Sequence, residues 1–215
     1  MLLRKPYHFI ILLFFFIGLT VLVEAQVFFQ IDLKITQLIQ RFASRPLDYV
    51  LYVFTLFGSV EFTVSVLILC CLYIYKKTND PRVFFYVFSF VFFSIIELIL
   101  KYQIHYVGPG PEFDRNPVHL TVVSLHTPYS FPSGHTFRSV FLLGIWNQWQ
   151  SRFFREGFLA LAIQRSLILI LIIAIVYSRV YLGDHWMSDV FGGLLLAGLA
   201  LCGSFHWMQY ELRPA

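Results

Sequence analysis

The stretch Ser178-Arg179-Val180-Tyr181-Leu182-Gly183-Asp184-His185-Trp186-Met187-Ser188-Asp189 decides the reading of this chain. It sets Arg179 at the end of one long apolar run and His185 and Asp189 at the start of the next. His185 and Asp189 are four residues apart, which on a helix puts them one turn apart on one face. A carboxylate there accepts a proton from one imidazole nitrogen and leaves the other free to attack. An Asp and a His that only open a helix give the same pattern, because an acid near a helix N-terminus is favourable in any case. Arg179, six residues before His185, tips the reading towards an anion site. A second junction of the same kind carries Pro132-Ser133-Gly134-His135.

Both junctions belong to a membrane chain. Its 215 residues are 58% hydrophobic and 13% charged, with mean hydropathy +0.72. A soluble domain of this length cannot bury that much apolar surface, so lipid is its solvent. Phe occurs 25 times, which suits lipid-facing helices. The net charge of +4 does not indicate nucleic acid, since the basic residues are scattered at the ends of apolar runs. Cys70, Cys71 and Cys202 all lie inside apolar runs without metal-ligand spacing, and read as buried thiols.

A helix needs about 20 apolar residues to cross a bilayer. Six runs qualify, near 7–29, 49–75, 83–102, 136–150, 164–182 and 187–208. The second is interrupted by Gly58-Ser59-Val60-Glu61, which predicts a kink. The sixth carries Gly192, Gly193, Ala197, Gly198 and Gly203, small residues that allow close helix packing in lipid. Between the first two runs, Ile31, Ile35, Leu38, Ile39 and Phe42 share one helical face, with Asp32, Lys34, Gln37 and Arg41 elsewhere. This predicts an amphipathic helix lying in the interface, stopped by Pro46. The expected fold is therefore an all-α polytopic membrane protein: six transmembrane helices, one interfacial helix between the first two, and a single domain over 1–215.

Orientation follows from Lys and Arg. With the N-terminus inside, the inner segments hold Arg4, Lys5, Lys76, Lys77, Arg82, Arg152, Arg155, Arg165 and Arg213. The outer side holds Lys34, Arg41, Arg45, Lys101, Arg115, Arg138 and Arg179, of which Lys101, Arg138 and Arg179 have a better explanation in the site. Both termini are thus expected in the cytoplasm, with the site on the extracytoplasmic face of a cell (inner) membrane. Val23-Glu24-Ala25 resembles a signal cleavage site, but the apolar run before it is longer than a usual signal core, which favours a retained anchor.

On this topology the third and fifth runs end, and the fourth and sixth begin, on the same face. Residues distant in sequence can then meet in one pocket. At the start of the fourth run, unpaired backbone N–H groups and the helix dipole suit a phosphate. Gly134 permits close approach and Ser133 adds a hydroxyl, while His135 stands where a general acid would protonate a leaving alkoxide. Lys101 and Arg179 can neutralise the charge on the phosphoryl oxygens, although basic residues that end membrane helices often only snorkel. Glu97, one turn before Lys101, can pair with it or be satisfied within the bundle. His105, His119 and His126 lie in a loop from 103 to 131, long enough to form a lid and stiffened by Gly108-Pro109-Gly110-Pro111.

These residues resemble the type 2 phosphatidic acid phosphatase superfamily, which also includes vanadium haloperoxidases. Pro132 to His135 match the second family motif. Ser178, Arg179, His185 and Asp189 match the third, Ser-Arg, five residues, His, three residues, Asp. The first motif is Lys, six residues, Arg-Pro. Here Lys101 is followed after six residues by Gly108-Pro109, so the Arg is absent. The resemblance implies His185 as nucleophile, Asp189 as its partner and His135 as acid. It further implies phosphate binding by Lys101, Ser133, Gly134 and Arg179, with no cofactor and no metal. Arg138, three residues after His135, is the candidate replacement for the missing guanidinium, with Arg115 a second choice.

The activity implied is hydrolysis of a lipid phosphate through a phosphohistidine, with the substrate drawn from the bilayer. Phosphatidic acid, phosphatidylglycerol phosphate and undecaprenyl diphosphate are the candidates. A phosphotransferase using the same intermediate, and a non-catalytic lipid-binding or transport protein with a degraded site, are the alternatives. A water-soluble haloperoxidase is disfavoured by the apolarity of the helices.

Overall fold

The computed structural model describes residues 6–118, 127–153 and 157–210. These residues form eight α-helices: α1 (Pro6–Glu24), α2 (Phe29–Gln40), α3 (Arg45–Leu56), α4 (Val60–Thr78), α5 (Phe85–Gln103), α6 (Gly134–Phe153), α7 (Phe158–Tyr181) and α8 (Met187–Tyr210). Two short 3-10 turns, Pro81–Phe84 and Pro111–Phe113, complete the regular structure, and no strand occurs among the described residues.

Four helical segments are long and apolar enough to cross a membrane: Tyr7–Glu24, Pro81–Gln103, Leu159–Tyr181 and Met187–Phe205. The interrupted second run supplies a fifth if α3 and α4, bent by 43° at their junction, count as one span. Ser59 makes the break, its side chain accepting from Phe62 N at 3.2 Å to cap α4. α6 forms as the sequence predicts but falls short on apolarity, since Arg138, Asn147 and Gln148 lie along it. Its surroundings account for this. α6 packs against α4, α5, α7 and α8, so its polar groups meet protein instead of lipid.

α8 is the central helix, packed against α1, α5 and α6. Close approach to α6 depends on Gly193, where a Cβ would lie 2.5 Å from the Ser133 carbonyl oxygen and 2.9 Å from the Thr136 Cβ. The core between these helices is aromatic. Phe90 of α5 stacks on Phe137 of α6 at 5.9 Å, and Phe16 of α1 stacks on Phe131 at 6.3 Å. Outward faces are equally apolar: Phe14 and Phe15 of α1, Phe88 and Phe92 of α5, and Leu167 and Ile170 of α7 are exposed. Apolar surface on that scale is stable only against hydrocarbon, so the chain is an integral membrane protein.

Two local expectations change. Pro46 does not stop α2, which ends at Gln40; it sits in the first turn of α3, where no backbone N–H is needed. In α2, Ile31 and Leu38 of the apolar stripe are exposed, and Asp32 does not share an exposed polar side with Lys34 and Gln37. Asp32 and Thr36 turn into the protein and are buried.

Candidate active site

The ends of α5 and α7 and the starts of α6 and α8 converge on one cavity of about 670 Å³. Lys101, Gly134, His135, Arg138, Arg179 and His185 all line it, together with Glu97 and Asp184. An apolar wall is supplied by Val60 of α4 and by Phe90, Val91, Ile95 and Leu98 of α5. Gly108, Thr127, Pro128, Tyr129 and Ser130 border it from the α5–α6 connection.

His185 lies in the short connection between α7 and α8. Its Nδ1 stands 3.3 Å from Asp189 Oδ2, and the Trp186 N–H donates to the same oxygen at 2.9 Å. With its proton on Nδ1 donated to Asp189, the ring keeps a lone pair on Nε2. Burial, with the positive charges of Lys101, Arg179 and Arg138, holds the imidazole well below its ordinary pKa, so the ring is neutral. The Ser133 N–H donates to the Asp189 carbonyl oxygen at 2.9 Å, which ties the start of α6 to the first turn of α8.

The cations are each held by a specific partner. Lys101 Nζ donates to the Ser130 carbonyl oxygen at 3.0 Å. Arg179 Nη1 pairs with Asp184 Oδ2 at 2.9 Å and donates to Thr55 Oγ1, while Asn116 Nδ2 donates to the other Asp184 oxygen at 2.8 Å. Arg179 Nε is buried and has no hydrogen-bond partner among the described residues. Arg138 donates from Nε to the Gly58 carbonyl oxygen and from Nη1 to Glu97 Oε2, both at 3.1 Å.

Glu97 therefore pairs with Arg138, across two helices, instead of with Lys101 on its own helix. Its carboxylate lies against the first residue of α6. A Cβ on Gly134 would come 2.1 Å from Glu97 Oε1 and 2.7 Å from Arg138 Nη1, so a larger residue there would displace the ends of both paired side chains. Gly108, at the place of the missing guanidinium, borders the same cavity that Arg138 enters. Arg115 is committed elsewhere: Nε and Nη2 grip Asp48 at 3.0 and 2.9 Å, and it is not part of the lining. His105 binds Glu24 at 3.0 Å at the surface and does not line the cavity. His119 and His126 lie outside the described residues. Among those residues no group of three or more His, Cys, Asp or Glu side chains gathers to hold a metal ion.

Ser133 is fully buried behind Gly134, its hydroxyl accepting from Thr136 Oγ1 at 3.1 Å. Asp32 of α2 and Tyr106 of the α5–α6 connection form a further buried polar group beside Ser188 of α8, which the sequence does not reveal. An acid inside an amphipathic pattern was the one available sign.

The family model described as the PAP2 superfamily matches residues 82–213. Among solved structures, the chain is similar to a transmembrane PAP2-type phosphatidylglycerolphosphate phosphatase from Bacillus subtilis. The TM-score is 0.79 at 19% identity, over 96% of this chain and 98% of that one. It is also similar to LpxE from Aquifex aeolicus, with TM-score 0.56 at 23% identity, over 83% of this chain and 94% of that one. No curated protein matches the sequence.

Proposed function

Because the chain belongs to the PAP2 superfamily, we propose that its cavity is the active site of an integral membrane phosphatase that hydrolyses lipid phosphates. One observation carries this reading. Two imidazoles, three cations and the glycine start of a helix line a single space, with Glu97 and Asp184 beside the cations and an apolar wall from α4 and α5. The polar end suits a phosphate and the apolar wall suits the chains attached to it.

In the proposed reaction, His185 Nε2 attacks phosphorus and the bond to the leaving lipid oxygen breaks. His135 donates a proton to that oxygen, and the phosphoryl group remains on His185. Water, deprotonated by His135, then displaces phosphate from His185 and restores both rings. Lys101, Arg179 and Arg138 stabilise the charge on the transferring group, together with the unpaired N–H groups at the start of α6. Ser133 holds that helix start in place. Asp189 orients His185 and stabilises the cation it becomes. Arg138 takes the place of the family guanidinium missing at Gly108. An incoming phosphate supplies the negative charge that lets His135 hold its proton among these cations.

The six-span arrangement completes the proposal, with α6 as the span shielded from lipid and α2 in the interface. Both termini face the cytoplasm, and the cavity opens to the outer leaflet of the cell membrane. Phosphatidic acid, phosphatidylglycerol phosphate and undecaprenyl diphosphate are the substrate candidates, and no step requires a metal. The test is phosphate release in detergent from these three lipids by the wild type and His185→Ala. Release by the wild type and none by the variant supports the proposal. Release by neither refutes it.

A further inference from the structure

Asp32 has no place in the reaction just described, yet the residue is only 2% exposed. It accepts three hydrogen bonds: from Ser188 N at 3.0 Å, from Ser188 Oγ at 2.5 Å and from Tyr106 OH at 2.7 Å. Ser188 N belongs to the first turn of α8, one of the amides a helix cannot satisfy internally. Asp32 thus caps α8 from a different helix, and the positive end of the α8 dipole favours its charge.

Each partner leads to one half of the site. Ser188 immediately precedes Asp189, whose Oδ2 faces His185 Nδ1. Tyr106, through its carbonyl oxygen, accepts from both Ser130 N at 2.9 Å and Ser130 Oγ at 3.0 Å. The Ser130 carbonyl oxygen in turn accepts from Lys101 Nζ. The same carboxylate therefore stands behind the nucleophile on one side and behind a phosphate-binding cation on the other.

We propose that Asp32 is a positioning residue that fixes the spacing between the His185–Asp189 pair and Lys101, through Ser188 and through Tyr106 respectively. The inference rests on the phosphatase reading of the site. Its physical basis is the pattern of bonds. A buried carboxylate with three donors has one well-defined position, and both arms extend from it by hydrogen bonds of 2.5–3.0 Å.

The two arms make the idea separable. Ser188→Ala removes the hydroxyl bond of the nucleophile arm and keeps the backbone N–H bond to Asp32, Tyr106→Phe removes the Asp32 bond of the cation arm, and Asp32→Asn disturbs both because an amide offers one acceptor oxygen where three donors converge. With full-length protein in detergent, Ser188→Ala should lower kcat about tenfold with KM near that of the wild type. Tyr106→Phe should raise KM several-fold with kcat near that of the wild type. Asp32→Asn should do both, approaching a loss of about 100-fold in kcat/KM, the scale of a catalytic group displaced by about 1 Å. If the three variants lose thermal stability while the folded enzyme keeps wild-type kcat and KM, Asp32 is a structural cap and the proposal fails. A second measurement does not require turnover. The rise in melting temperature with orthovanadate should weaken in Tyr106→Phe and Asp32→Asn and persist in Ser188→Ala. Equal vanadate responses in all three refute the two-arm arrangement, whereas a wild type that releases no phosphate overturns the phosphatase reading instead.

Discussion

Arg138→Gln isolates the feature in which this site departs most from the pattern of its family. The Arg138 and Glu97 side chains are 11% and 8% exposed, so water does little to screen either charge. Removing the guanidinium leaves Glu97 as a buried carboxylate without its partner, a loss of about 3–5 kcal/mol. The Gly58 carbonyl oxygen also loses the donor at 3.1 Å, about 1 kcal/mol more. A second change, Glu97→Gln on top of Arg138→Gln, removes the orphaned charge and lets two amides pair, so most of that stability should return. Turnover should not return with it. If Arg138 contacts the phosphate, its loss removes a charge-assisted hydrogen bond of about 1.5–3 kcal/mol, or about 10- to 150-fold in kcat/KM. The assay pairs thermal unfolding in detergent with phosphate release from the same preparations. A double variant that regains both stability and wild-type kcat/KM would show that Arg138 only balances Glu97, and would refute its role as the replacement guanidinium.

Other expectations follow from the same geometry. Asp189→Asn keeps the shape but removes the carboxylate that fixes the His185 tautomer, and phosphate release should fall by about 10³- to 10⁴-fold while lipid binding is retained. The lowered proton affinity of His185 places the acid limb of kcat/KM that it controls below pH 6.5, as a pH–rate profile will show. For stability the sign is the same: a ring kept neutral when folded but protonated when unfolded loses its contribution as pH falls through about 6.5, measurable as a falling melting temperature. Dialysis against a chelator should leave turnover unchanged, since each proposed step uses only side chains and water; lost activity restored by a divalent ion would contradict this.

Much of the site was legible because its parts are local in sequence. His185 and Asp189 meet as their four-residue spacing suggests, although His185 lies in the connection just before α8 and only Asp189 is helical, and Ser133-Gly134-His135 opens a helix where the Pro-Ser pair says one should start. The meeting of Lys101 with these residues was legible at one remove, from counting apolar runs and following which ends share a face. The Glu97–Arg138 pair was not, because a choice between Lys101 and Arg138 depends on how closely α5 and α6 approach. Asp32 was hidden for a different reason. In a lipid-exposed chain an apolar stripe marks the outside, so the residues that face the protein can be polar, and periodicity does not tell inward from outward. α6 shows the same ambiguity: its polar residues lower its apparent fitness as a span because the surrounding helices cover them.

The most direct test of the central claim is to quench turnover of a lipid substrate labelled in its phosphate and to map any label retained by the protein. A phosphohistidine survives alkali and is lost in acid. The account predicts alkali-stable label on the peptide carrying His185 in the wild type, and none in His185→Gln. Label on another residue, or equal label in His185→Gln, would contradict it.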